Sequence, residues 1–142
     1  GAGASQPFGF PTGIQLSQQL ISGLIPGHNP AYIALTAHCG FSEKDISSFR
    51  DSFFKSGRNS VDAFLESRRE FIGIGKSAIA AILIRYEQDT ILFEFDNNWL
   101  RYVYNSLDSS FDGFCDNALA IITFNYDRSV ENFLFPVPKK HL

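Results

Sequence analysis

Asn125, Tyr126 and Asp127 place an amide, a phenol and a carboxylate in consecutive positions, directly after the apolar run Ile121-Ile122-Thr123-Phe124. An amide and a carboxylate two residues apart can share one pocket. The carboxylate accepts from an NH2 group while the amide orients a hydroxyl or a water. The same residues also make an ordinary turn, with Asp127 capping the helix that follows. At the opposite end, Gly1-Ala2-Gly3-Ala4-Ser5 and Gly9-Phe10-Pro11-Thr12 are rich in residues with little or no side chain. Such residues let backbone amides approach a phosphate closely, because no Cβ stands in the way. The apolar run from Ile14 reads as a helix, so the turn empties into a helix N-terminus that favours an anion. Gln6 stands where the third glycine of G-x-G-x-x-G would be. The spacing alone therefore fits a flexible N-terminus as well as it fits a phosphate loop.

The elements that must position these groups are mostly helical. Leu16, Leu20, Ile21 and Leu24 share one helical face over residues 13–25, and Pro26-Gly27 ends that helix. Asn29-Pro30 starts a short helix through Cys39, with Gly40 as its stop. Ser42 opens the next, with Glu43 and Asp45 in its first turn and Ile46, Phe49, Phe53 and Phe54 inward; Gly57 closes it. Ser60 caps Val61–Leu65. Residues 70–86 are predicted as the longest helix, apolar around most of its circumference, with Gly73 and Gly75 permitting a close neighbour. Asp96 or Asn97 caps a further helix with Leu100, Val103, Tyr104 and Leu107 inward. Ile91-Leu92-Phe93 is read as part of a helical connection. Asp112-Gly113 is a turn, and Ser129–Phe135 a short helix ended by Pro136. Ala118 to Phe124 is rich in β-branched and aromatic residues without alternation. It is predicted as a strand buried on both faces of a parallel sheet.

Length and composition bound what the site can serve. The 142 residues are one domain's worth, 44% hydrophobic and 19% charged, with 15 Phe and no Met. A net charge of −3 argues against a nucleic-acid partner, which would require a basic face. No signal peptide and no run of 18 apolar residues is present, which predicts a cytoplasmic chain without a membrane partner. Cys39 and Cys115 form no C-x-x-C pair and read as free buried thiols.

Together, the N-terminal turn and the Thr123-Phe124-Asn125-Tyr126-Asp127 corner resemble the sirtuin family. The first looks like its GAGxS loop followed by G-I-P-x, the second like its T-Q-N-x-D strand end; the matched residues span about a seventh of the chain. The resemblance implies an α/β fold with a Rossmann-like parallel sheet, incomplete within residues 1–142, carrying a large helical insertion over about residues 29–108. It implies NAD as substrate. Gly1, Ala2, Gly3 and Ser5 match the loop that cradles the pyrophosphate and adjoining ribose. Asn125 matches the Asn beside the nicotinamide ribose and is the catalytic candidate. Tyr126 and Asp127 match the positions that hold the carboxamide, while Pro11 and Thr123 complete the cofactor-binding set.

Departures from the deacylase pattern are informative. Gly9-Phe10-Pro11-Thr12-Gly13-Ile14 replaces G-I-P-D-F-R, and two Cys so far apart cannot make the deacylase zinc ribbon, so no metal is expected. The family's catalytic His lies in a His-Gly pair downstream of the Asn-Asp motif, whereas His141 precedes Leu142 and is not assigned that role. These features resemble the sirtuin-like NAD hydrolases of prokaryotic antiphage defence. That group implies a sensor module or a homo-oligomer as partner. The alternatives are an NAD-dependent protein deacylase and a catalytically inactive NAD-sensing or assembly module. Other motifs carry less. Gly73-Ile74-Gly75-Lys76-Ser77 mimics the end of a Walker A loop but has Glu70 at the required first glycine, inside a helical pattern. His28 and His38 lack ligand spacing, Arg68-Arg69 with Glu66 and Glu70 reads as a solvated helix face, and Asp108, Asp112 and Asp116 lack calcium-loop spacing.

Overall fold

The structure, a computed structural model, describes residues 2–87, 98–107, 113 and 116–134. The chain divides into two compact units: Pro11–Arg85, and Gly1–Phe10 together with Tyr86–Leu142. Every regular element among the described residues is helical.

The Pro11–Arg85 unit is built from five α-helices whose ends are set by local chemistry. Helix α1 (Gly13–Gly23) begins at Thr12, whose hydroxyl accepts from the Gln15 amide while the Gln15 side chain accepts from the Thr12 amide. Asn29 caps α2 (Pro30–Ile33) through the Ala31 amide at 3.1 Å. A π-type turn, Ala34–His38, continues it, with the Cys39 amide bonded to the Ala34 carbonyl at 3.1 Å. Gly40, at φ +73°, then turns the chain left-handed, and the Phe41 amide reaches back to the Leu35 carbonyl. Ser42 and Asp45 form a capping box at the start of α3 (Glu43–Lys55), and Ser60 caps α4 (Val61–Ser67). A 3-10 turn over Arg69–Phe71 leads into α5 (Ile72–Leu83).

Helix α5 packs on α1, α3 and α4. Ile74, Gly75, Ala78, Ile79, Ile82 and Leu83 of α5 are buried. A methyl at Gly75 would meet Leu65 Cδ2 at 2.6 Å, so the missing side chain is what lets α4 come close; at Gly73 nothing lies near. Beside this helix the rings of Phe49, Phe53, Phe64 and Phe71 cluster, with centroids 5.2 Å apart for Phe53 and Phe64. Each fully buried ring stabilises by about 1.5–3 kcal/mol relative to exposure. Phe54, expected inward, is 65% exposed, because the buried stripe of α3 is the narrow Ile46, Phe49, Phe53 line. Cys39, expected buried, is exposed at the end of the π-type turn. The Walker-like Gly73–Ser77 stretch lies within α5. Arg68 pairs with exposed Glu70 at 2.6 Å and holds that carboxyl below its ordinary value.

In the other unit, Ala2–Ala4 and Gln6–Phe8 form successive 3-10 turns, and Gly9 closes the second at φ +81°. Helix α6 (Trp99–Asn105) starts at Asn98, whose side chain accepts from the Arg101 amide at 2.9 Å. Asp96 and Asn97, the expected caps, lie outside the described residues, as do Ile91–Phe93, Cys115 and His141. Helix α7 (Ser129–Leu134) packs on α6, with Tyr104 edge-on to Phe133.

The expected Rossmann-like parallel sheet is overturned. No strand occurs among the described residues, and 118–124 is irregular and exposed. Ile122 and Phe124 are 83% and 89% exposed, where a strand buried on both faces would have hidden them. A β-branched run records only what would suit a pleated surface. A strand also needs a neighbour to take its N–H and C=O groups, and the described residues supply none. No helix among them is long and apolar enough to cross a membrane.

Candidate functional site

The residues that form the site come from two stretches of the same unit. Ser5 sits between the two 3-10 turns and is buried, 3% exposed. Its carbonyl accepts from the amides of Phe8 and Phe10, at 3.0 and 3.3 Å, so the backbone curls around it. Phe8 and Phe10 are buried and Phe10 packs against Tyr86, ring centroids 5.8 Å apart. These anchors hold the serine hydroxyl in one place.

From the other stretch, Asn125 Nδ2 donates to Ser5 Oγ at 2.8 Å, and Ser5 Oγ donates to Asp127 Oδ2 at 2.6 Å. The second bond is the shorter of the two. Oδ1 of Asp127 accepts from both the amide and the hydroxyl of Ser129, at 3.1 and 2.5 Å. Asp127 therefore caps the start of α7 and fastens the N-terminal turn at the same time. The turn reading of this corner, with Asp127 capping the helix that follows, is the one these bonds match.

The inventory of lone pairs shows what remains available. A carboxylate offers about four acceptor positions. Three of those on Asp127 are filled, leaving one on Oδ2 among the described residues. Asn125 uses one of its N–H bonds on Ser5, and its Oδ1 meets no partner among the described residues. Thr123 Oγ1 accepts from the Asn125 amide at 3.1 Å and so sets the backbone that presents this side chain. Gly3 has open space where a Cβ would stand. The arrangement can thus offer one carboxylate acceptor, one amide oxygen and, at Gly3, a point of backbone with open space in place of a side chain.

The remaining predicted residues are more dispersed. Ala2 and Gly3 lie in the first 3-10 turn, and Gly1 lies outside the described residues. Tyr126 is 60% exposed. Pro11 is buried and belongs to the helical unit. The N-terminal turn leads into α1 only after a second 3-10 turn, and the capping box there engages the Gln15 amide of α1 and the Thr12 amide before it. Two residues of the site escaped the sequence reading. Ser129 is 4% exposed and locks the second carboxylate oxygen; an Asp followed two positions on by Ser was its signal. Trp99 donates its indole N–H to the Ala4 carbonyl at 2.8 Å, and nothing in the sequence links positions 95 apart. Among the described residues no group of three or more His, Cys, Asp or Glu is placed to hold a metal ion.

No protein-family model, curated protein or solved structure matches this chain.

Proposed function

We propose that this chain binds NAD+ and cleaves its nicotinamide–ribose bond with water, giving ADP-ribose and nicotinamide. The observation that carries the reading is the direct bonding of Ser5 to both Asn125 and Asp127, across 120 and 122 positions of sequence. In this reading the open lone pair of Asp127 accepts one N–H of the carboxamide. Asn125 Oδ1 orients a water at C1′, and the backbone around Gly3 receives the diphosphate. Nicotinamide departs with the bonding pair. Positive charge builds on the ribose, and a nearby fixed carboxylate and amide oxygen stabilise it. Water then adds at C1′ and loses a proton. The reading depends on these side chains and needs no sheet. The sirtuin-like resemblance of the same residues supports it, and a role in antiphage defence belongs to that resemblance.

The test is nicotinamide release from NAD+ by the whole protein, followed chromatographically with and without an acyl-lysine peptide. Release from NAD+ alone is expected. A strict requirement for the peptide would replace hydrolysis with deacylation, and tight NAD+ binding without turnover would make the chain a sensor.

A further inference from the structure

We infer that Trp99 is a positioning residue for the ligand-receiving turn, an inference that rests on the NAD+ reading above. Trp99 is the only tryptophan of the chain and the first residue of α6. Its place is fixed from behind by Asn98, which is buried at 6% exposure and accepts from the Arg101 amide. From there the indole edge reaches the Ala4 carbonyl at 2.8 Å, one residue from Ser5.

The turn is thereby held at two adjacent residues by unrelated parts of the unit. Asn125 and Asp127 hold the Ser5 side chain, while Trp99 holds the Ala4 backbone. Two adjacent fixed points set the orientation of the Ala4–Ser5 peptide plane, the end of the turn from which the backbone at Gly3 extends. A donor on a rigid bicyclic ring suits this task, since few rotors must be frozen to hold it. The ring is 37% exposed, so one part braces the turn while another meets solvent. As the sole indole, it also reports spectroscopically on what happens at the turn.

Replacing Trp99 by Phe keeps an aromatic ring and removes the N–H donor. In the whole protein, W99F is expected to raise KM for NAD+ about five- to tenfold with kcat within twofold of wild type, since a lost neutral hydrogen bond is worth about 1 kcal/mol. Amide hydrogen exchange over residues 2–8 is expected to quicken in W99F without ligand, and wild-type indole emission to shift on NAD+ addition. Unchanged exchange in W99F, or an unchanged KM in an active protein, overturns the positioning role while leaving the NAD+ reading in place. A wild type that neither binds nor cleaves NAD+ overturns both.

Discussion

The helical unit and the Ser5–Asp127 corner are held together by different kinds of interaction. In the helical unit, each boundary is settled within a few residues: Thr12 with Gln15, Ser42 with Asp45, Ser60 with Ala63. Its interior is a set of apolar faces closed by ring contacts. At the corner, regular structure is sparse, and the decisive contacts are polar bonds between residues more than a hundred positions apart. Apolar packing tolerates small shifts because it is not directional. A hydroxyl bridging an amide and a carboxylate does not, because donor and acceptor geometry is narrow. The first kind of region suits a scaffold and the second suits a site.

That contrast is open to attack at several points. The largest effect is expected from Phe64→Ala, which empties a ring-lined position only 1% exposed in the helical unit. Denaturant unfolding should show a loss of about 3–5 kcal/mol. A loss under about 1 kcal/mol would mean that the rings are not what closes this unit. A smaller cost, about 1 kcal/mol, is expected for Ser42→Ala, which removes the hydroxyl that caps α3. The smallest is expected for Phe124→Ser. At 89% exposure, the side chain has little to lose, and stability should stay within about 0.5 kcal/mol. A loss of several kcal/mol would restore a buried setting for this stretch.

The same contrast explains how much could be read from sequence. The caps at Asn29, Ser42 and Ser60 and the stop at Gly40 were legible, because each depends on partners a few residues away. Of the two helix glycines expected to admit a close neighbour, Gly75 does and Gly73 does not, because which face meets another helix depends on how the helices pack. The 118–124 stretch misled, because its composition suits a sheet and its pairing depends on chain far away in sequence. Within the candidate site, Asn125 and Asp127 were singled out through residue type and motif, and the structure bonds both to Ser5. Ser129 and Trp99 were not found. One acts through a carboxylate already assigned, and the other reaches the turn from a helix that only folding brings near.

The central claim is that the Asn125 amide serves chemistry and not merely the fastening of the turn. Its measurement is Asn125→Ala in the whole protein, scored for stability and for nicotinamide release side by side. Asn125 makes one side-chain bond among the described residues, so unfolding free energy should fall by only about 0.5–1.5 kcal/mol. Release should fall at least about 100-fold, as the proposed role of Asn125 in orienting the attacking water requires. Nicotinamide release at the wild-type rate, in a variant destabilised by that amount or more, would contradict the account.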